Sequence, residues 1–484
     1  MNRFSRRAMN VWVGLGTRFL PFADVATPDL PLSRLLRLSL FQVSVGMALV
    51  LLIGTLNRVM IVELDVPASL VGVMISLPLI FAPFRALIGF RSDSHRSALG
   101  WRRVPFMYRG AMVQFGGLAV MPFALLVLAG QGNAAHAPVW LGWIAGGLAF
   151  LLVGAGLHTT QTVGLALATD LADTRSQPKV VGLMYVMLLF GMIASAFLFG
   201  SLLADFTPGL LVQVIQGAAV ATIVLNVVAL WKQETRHSAP AVEARRSAPT
   251  FREAWERFAA GGRTVRRLLA VGLGTMAYSM EDVLLEPYGG QVLHLTVGET
   301  TRLTATLAAG GLFGFGLASR VLARGYDPFR MAVHGALIGI PAFLAVMLAA
   351  VFASAPMFAA GTLFIGFGAG LFGHGTLTST MNLAPENQEG LALGAWGAVQ
   401  ASAAGLAIAI GGIVRDAFAA VLPREAYGAA AAYDVVYAVE VVLLVVTLFT
   451  MFPLLRGKLP ASRPCSRGAA DLATHSWPVA DKGR

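Results

Sequence analysis

Long apolar stretches alternate with short polar connections along most of the chain. A membrane-crossing helix needs about 20 mostly apolar residues. Glycine and proline are frequent inside these stretches, as is usual for helices that pack closely in lipid. The pattern predicts an all-α membrane protein with twelve transmembrane helices, near 35–57, 69–89, 105–128, 139–165, 180–203, 208–231, 268–290, 301–322, 329–352, 357–381, 390–412 and 433–455.

One long polar stretch divides the predicted helices into two groups of six. This stretch is the most charged part of the chain, and we interpret it as a cytoplasmic linker. The composition of the last residues predicts a disordered cytoplasmic tail. The expected organisation is an N-terminal arm at 1–34, a first half at 35–231, the linker at 232–267, a second half at 268–455 and the tail at 456–484.

The two halves resemble each other weakly. The sequence GAGL occurs at 154–157 just before His158, and again at 368–371 shortly before His374. These motifs fall in the fourth and tenth predicted helices. Two six-helix pseudo-repeats joined by a cytoplasmic loop are the plan of major facilitator transporters. The pattern therefore predicts the major facilitator fold.

The distribution of lysine and arginine predicts the orientation in the membrane. With both termini in the cytoplasm, 29 of the 36 basic residues fall on the inside. Only Arg58, Arg415 and Arg424 fall on the opposite side. Because positive charge gathers in cytoplasmic loops, this asymmetry indicates cytoplasmic termini.

Composition excludes several classes of protein. The chain has 484 residues, of which 56% are hydrophobic and 13% charged, with a net charge of +11. Soluble proteins carry about 25% charged residues, so a large soluble enzyme, a disordered chain and a nucleic-acid-binding module are excluded. The single cysteine, Cys465, allows no internal disulfide and no cysteine zinc site. No motif of a known catalytic class is found, so we expect no enzyme, no catalytic residue and no metal site.

The connection between the second and third predicted helices resembles the facilitator signature loop. A glycine is followed by an aspartate and then by a basic pair. The aspartate can accept from the free amides of a helix start or pair with arginine. We interpret the loop as a structural latch, with an ordinary basic anchor loop as the alternative. Its residues are Gly89, Arg91, Asp93, Arg102 and Arg103.

Three acids lie within six positions of the seventh predicted helix. Asp282 and Glu286 are four residues apart and would share a helix face, with Glu281 on an adjacent face. Charges in the hydrocarbon core are costly, so we expect at least one acid to be protonated or paired with arginine. The alternatives are a salt-bridge lock between the halves, a proton-coupled site and a polar seat for a ligand. The other candidate members of this cluster are Tyr278, Arg85 and Arg109.

The residues after these acids predict an irregular helix end. Pro287 is expected to break or kink the seventh helix. Gly289 and Gly290 would then allow irregular backbone near the outer face.

Three segments carry a more specific resemblance. Residues 84–105, the acidic segment 281–293 and the stretch 38–46 are similar to the bacteriochlorophyll-delivery branch of the facilitators, the PucC/LhaA family. This resemblance implies an assembly protein of the bacterial inner (intracytoplasmic) membrane. It would bind or deliver bacteriochlorophyll to nascent light-harvesting antenna polypeptides. The N-terminal arm is more similar to LhaA-type members, which implies the core antenna and contact with the reaction-centre core complex.

Because the resemblance implies bacteriochlorophyll, side chains that could ligate the magnesium of this pigment are candidate binding residues. A neutral imidazole nitrogen can fill an open metal position. The alternative for each histidine is a hydrogen bond to threonine or backbone in a packed interface. The side-chain amides of Gln42 and Asn382 are further candidates. The histidine candidates are His158, His374, His334 and His294.

Two classes of function follow from the sequence. The first is the pigment-handling assembly factor, which needs a lateral groove facing the lipid. The second is a proton-coupled secondary transporter of a small amphiphile, which needs a water-accessible cavity between the halves. The residues alone, without the family resemblance, favour the transporter.

Overall fold

The computed structural model describes residues 31–80, 88, 92, 101–129, 138–172, 177–234, 264–322, 324–381, 389–422 and 428–455. These residues are helical apart from short connections. The helices, numbered in chain order, are α1 Leu32–Glu63, α2 Ala68–Ile80, α3 Val104–Leu128, α4 Val139–Asp170, α5 Gln177–Leu202, α6 Pro208–Leu230, α7a Thr264–Ala277, α7b Leu285–Val292, α8 Val297–Leu322, α9 Pro328–Val351, α10 Ala355–Met381, α11 Glu389–Val421 and α12 Ala431–Leu455.

The helices confirm an all-α membrane architecture. In the described part, ten helices are long and apolar enough to cross a membrane, and α7a with α7b raises this to eleven. The second predicted span begins as α2 at Ala68, and most of residues 81–100 lie outside the described part. The total of twelve and the cytoplasmic location of the termini therefore stay predictions. The linker, apart from 232–234 and 264–267, and the tail also lie outside the described residues.

The two halves meet along a seam formed by α1, α2 and α5 on one side and by α7, α8 and α11 on the other. Glycines allow close approach in this seam. An ideal Cβ on Gly298 of α8 would lie 2.5 Å from the Gly200 carbonyl of α5. An ideal Cβ on Gly72 of α2 would lie 2.8 Å from the Ile408 carbonyl of α11. Side chains larger than hydrogen would force these pairs apart.

The glycines of both GAGL motifs allow close packing within each half, but corresponding glycines of the two motifs contact helices that do not correspond. Gly154 packs on α2 and Gly156 on α3. In the second motif, Gly368 packs on α9 and Gly370 on α8. Because α8 and α9 correspond to α2 and α3 in the predicted repeat, the two glycines exchange partners. The four-residue match therefore reflects a common need for small residues rather than equivalent positions.

α1 contains two stretches of wide, π-helical turns. They cover Val50–Leu56 and Val59–Glu63. π-Helical turns are uncommon and occur frequently at functional sites. Thr55 lies in the first stretch, Asn57 and Arg58 lie between the two stretches, and all three polar side chains are buried. This part of α1 thereby presents polar groups of the first half to the seam.

Candidate functional site

The seventh span is broken where the acids lie. α7a ends at Ala277, a single 3₁₀ turn covers Glu281–Val283, and α7b continues at an angle of 42°. Pro287 explains the break, because a proline ring clashes with the carbonyl four residues earlier, here that of Val283. The predicted kink is thus confirmed, but its position differs. The irregular backbone precedes Pro287, whereas Gly289 and Gly290 are helical.

The break divides the three acids into two environments. Glu281 and Glu286 are each 2% exposed, and Asp282 is half-buried. The Glu281 carboxyl faces Asp282. Glu286 instead accepts a short hydrogen bond from Thr304 of α8. The prediction that Asp282 and Glu286 share one helix face is wrong, because continuous helical geometry ends between them.

Tyr278 points away from Asp282. Its hydroxyl donates to the Gly335 carbonyl of α9 at 2.8 Å. Its ring packs against Phe343 and Phe372, each with centroids 6.0 Å away. Its acidic neighbour is Glu281, not Asp282. The predicted stripe of Tyr278 with Asp282 is therefore wrong, although the tyrosine does belong to the surroundings of the acids.

Among the described residues, Arg58 of α1 is an arginine whose charge acts on one of these acids, Glu286. It is 4% exposed, forms a short ion pair with Glu63 and donates to the Leu295 carbonyl at 3.1 Å. Gly290 leaves room for it, since an ideal Cβ there would lie 3.1 Å from the guanidinium.

Neither arginine proposed from the sequence is observed in this role. Arg109 is exposed on α3, so it cannot neutralise acids that are buried in the seam. Arg85 lies outside the described residues. Arg58 was not predicted as a partner of the acids, because the count of basic residues placed it in an outer loop. Arg415, counted in the same way, is also buried, within α11.

Two further hydrogen bonds cross the seam beside the break. Asn57 donates from Nδ2 to the backbone carbonyl of Asp282 at 2.9 Å. The hydroxyls of Thr55 and Thr301 lie 3.2 Å apart. Buried polar groups of this kind need partners, and here each half supplies partners for the other. The polar turns of α1 thus hold the broken span 7 and the start of α8.

Arg415 organises a second polar contact near the ends of α7b and α11. It donates to Gln291 at 2.8 Å and to Tyr433 at 3.2 Å, with its guanidinium 4.8 Å from the Tyr433 ring centroid. It also pairs with Asp416 at 2.9 Å. The other Asp416 oxygen accepts from the Ser69 amide of α2 at 2.7 Å. This network therefore ties the second half to the first.

Glu440 of α12 is a functional candidate that the sequence analysis missed. It is fully buried, beside the backbone of Glu281 and the side chains of Glu281 and Asp282. The sequence does show Glu440 as a single acid in the apolar stretch VVYAVEVVLLVV. Its proximity to the acids of span 7 was not predicted, because these residues are far apart in the chain.

The basic pair of the signature loop takes part in a latch within the first half. The backbone amides of Arg102, Arg103 and Val104 donate to the Glu234 carboxylate at 2.7 to 3.1 Å. The Arg103 guanidinium donates to Asp170 at 3.0 Å and to Ser92 at 2.6 Å. The start of α3 is thus capped by an acid that follows α6. Gly89, Arg91 and Asp93 lie outside the described residues.

The candidate histidines occupy unequal positions. His294 and His334 are exposed, and His334 lies 3.4 Å from the Tyr326 hydroxyl. His158 and His374 are half-buried on α4 and α10, and His374 packs on Phe315 with ring centroids 4.3 Å apart.

The glycines near these histidines leave little room for a ligand. Neighbouring helices pack directly against the glycines of both GAGL motifs. Only Gly373, next to His374, faces open space. Gln42 is fully buried, and Asn382 lies outside the described residues. In the described part, no three histidine, cysteine or carboxylate side chains converge as a metal site requires.

An apolar groove of about 320 Å³ lies among α1, α5 and α6. Several of its residues are exposed, so the groove is open at the surface of the helix bundle. Gln213 is its only polar side chain, and Gly217 faces open space. It is lined by Met47, Leu198, Phe199, Leu202, Leu210, Gln213, Val214, Gly217, Ala218 and Ala221.

Solved structures with a similar fold are membrane transporters. A bacterial homologue of the human lysosomal transporter Spinster, in an inward-facing and unoccupied conformation, aligns with a TM-score of 0.64. The alignment covers 87% of this chain and 96% of that chain at 15% identity. This similarity shows that the chain has a major facilitator-like fold.

Sequence relatives are considerably closer. "Protein PucC" of Rhodovulum sulfidophilum is 63% identical over 422 residues, which are 86% of this chain and 92% of the relative. A "Bacteriochlorophyll synthase 44.5 kDa chain" of Rhodobacter capsulatus is 30% identical over 423 residues, covering 85% and 93%. The model of the PUCC protein family matches residues 55–459. The chain therefore belongs to the PucC family of membrane proteins, whose role is in the assembly of photosynthetic complexes.

Proposed function

We propose that this protein is an assembly factor that binds bacteriochlorophyll in the membrane and brings it to nascent antenna polypeptides. It performs no covalent chemistry. Family membership supports the photosynthetic role, and the names of the relatives point to bacteriochlorophyll. The observation that carries the proposal is the apolar groove among α1, α5 and α6, because its lining is almost entirely apolar and part of it is exposed at the surface of the helix bundle.

The residues of the groove suit part of a large amphiphilic pigment. Its volume is near the lower end of the range for ligand pockets, so the remainder of the pigment would stay in the lipid. Magnesium accepts carbonyl oxygen ligands, and the exposed amide of Gln213 supplies one in the groove. His158, His374, His334 and His294 remain candidates at other positions.

The groove can be tested with two matched glycine variants. Gly217 of α6 and Gly316 of α8 both face open space, so a larger side chain at either position leaves the helix packing intact. Gly217→Leu fills the groove, and Gly316→Leu is the control. We expect near-infrared absorption of bound bacteriochlorophyll in the purified native protein and in Gly316→Leu, and at least a threefold loss in Gly217→Leu.

The outcomes of this experiment separate the hypotheses. An equal content of bound pigment in both variants would exclude the groove as the binding site but would leave the pigment-binding function in place. No pigment in the native protein, together with proton-linked uptake of an amphiphile into vesicles, would instead establish the secondary transporter. The major facilitator-like fold and the buried acids of the seam are the observations that favour this alternative.

We propose that the acids of span 7 act as a lock between the halves that antenna assembly requires. Replacing Glu281, Asp282 and Glu286 with amides keeps the side-chain shapes but removes the charges. In a host lacking the native protein, the triple variant is expected to restore less antenna absorption than Glu299→Gln, a control at the exposed start of α8. Equal antenna levels would remove the site assignment.

The N-terminal arm supports the core antenna around the reaction centre as the complex that is served, in the inner membrane. A host lacking this protein should then lose core-antenna absorption before peripheral-antenna absorption. Selective loss of the peripheral antenna would reverse the assignment.

A further inference from the structure

Glu440 is a buried carboxyl group with no positively charged side chain beside it among the described residues. It is fully buried, and neither of its carboxyl oxygens forms a hydrogen bond with a described side chain, while the backbone of Glu281 lies beside it. Its nearest charged neighbours are Glu281 and Asp282, both acidic. An isolated carboxylate is very costly in such an environment, so this group must be neutral or bind a cation.

Two other buried oxygen atoms near Glu440 also lack a hydrogen-bond partner among the described residues. Oε2 of Glu281 is buried without a hydrogen-bond partner in the described part of the chain. The Tyr437 hydroxyl, one helical turn before Glu440, is fully buried and likewise unpartnered there. It faces both Glu440 and Glu281. Three side chains of span 7 and α12 therefore lie near one another, each with a buried oxygen atom that has no hydrogen-bonding side chain among the described residues.

In the part of the chain that the structure describes, the groups around Glu281 and Glu440 supply no positive charge. Arg415 of α11 binds Asp416, Gln291 and Tyr433 instead, and Arg58 of α1 acts on Glu286. On α9, which also packs against α12, Arg330 and His334 are exposed. The titratable groups near the pair are Asp282, Tyr278 and Tyr437, and Tyr288 and Tyr433 lie near Tyr437.

We propose that Glu281 and Glu440 form a buried proton-binding site, to which the Tyr437 hydroxyl contributes a hydrogen bond. In the loaded state at least one carboxyl is protonated and donates to the other. On release, the O–H bond breaks, the proton passes to water and both groups become carboxylates. A proton needs no further ligands, whereas the side chains of the described part do not converge as a metal ion requires.

The site formed by Glu281 and Glu440 lies next to a hydrogen bond that crosses the seam between the two halves. Glu281 and Asp282 belong to the 3₁₀ turn whose Asp282 carbonyl is held by Asn57 of α1. When the proton leaves, like charges in this turn and on α12 repel each other. That repulsion displaces the turn and weakens the Asn57 hydrogen bond across the seam.

The site is tested by infrared spectroscopy of the purified full-length protein at neutral pH. Exposed carboxyl groups are ionised there, so the protonated-carboxyl band reports buried acids. Glu440→Gln is isosteric with the protonated acid and is expected to stay folded while the band loses intensity. Glu281→Gln should reduce the same band, and the exposed control Glu299→Gln should leave it unchanged. A band of native intensity in Glu440→Gln would overturn the proposal.

A second measurement on the native protein does not depend on how the variants fold. A hydrophobic carbodiimide reacts with protonated carboxyls in apolar surroundings, and mass spectrometry locates the modified residue. We expect modification at Glu440 or Glu281 that declines as the buffer pH rises. Absence of modification at both positions at every pH would contradict the proton site. Protection by sodium chloride but not by choline chloride would show that the ligand is a metal cation instead.

Discussion

The carboxylate of Glu286 on α7b lies directly against Gly54 on α1. An ideal Cβ on Gly54 would be 2.5 Å from Oε1 of Glu286 and 2.8 Å from the Thr304 hydroxyl. Only glycine leaves room at this point for the carboxylate and its threonine donor. The two halves therefore meet at a buried carboxyl group, which fits between a glycine of one half and a hydroxyl of the other.

This contact predicts that Gly54→Val destabilises the protein. The added side chain must displace a buried carboxylate, and overpacking of this kind costs about 1–3 kcal/mol. The midpoint of thermal unfolding in detergent should fall accordingly. Gly316→Val is the control, because its Cβ enters open space and should change stability by less than about 0.5 kcal/mol. Equal midpoints for the two variants would show that the Glu286 contact is not tightly packed.

Arg58 and Glu286 are predicted to be energetically coupled. Arg58→Met removes the nearby positive charge and leaves Glu286 buried without it, so we expect a loss of about 1–3 kcal/mol. Adding Glu286→Gln removes the uncompensated acid and should restore part of that stability. A double-mutant cycle of unfolding midpoints measures the coupling, for which about 0.5–3 kcal/mol is expected. Strict additivity of the two changes would show that Arg58 serves only Glu63 and the Leu295 carbonyl.

Glu234 is predicted to stabilise the start of α3. Its carboxylate accepts from three consecutive backbone amides, and loss of a helix cap costs about 0.5–2 kcal/mol. Glu234→Ala should lower the unfolding midpoint. Glu234→Gln, which keeps one acceptor oxygen, should lower it less. If both variants unfold like the native protein, the cap is not an important contact.

The two half-buried histidines provide a test of pigment ligation. The double variant His158→Phe and His374→Phe keeps aromatic bulk but removes the imidazole nitrogens. If either histidine ligates magnesium, the pigment content of the purified protein should fall and the absorption band should shift. Unchanged pigment content and band position would leave both as packing residues and favour the Gln213 amide.

Local features of the chain predicted the all-helical membrane architecture that the described residues show. The length of each apolar stretch depends on neighbouring residues only, and the observed helices follow the predicted spans. Pro287 predicted a kink for a similarly local reason. The acids of span 7 were found because three charges in one apolar helix are costly wherever the helix packs.

The partners of those acids were decided only by the tertiary structure. From the sequence alone, Glu281, Asp282 and Glu286 could be assigned to one apolar span. The sequence did not determine that Arg58 serves Glu286, that Glu440 faces Glu281, or that Glu234 caps α3. The reason is physical: these contacts join residues that are far apart in the chain. They depend on how each helix is rotated and broken when it packs, which hydrophobic length does not specify.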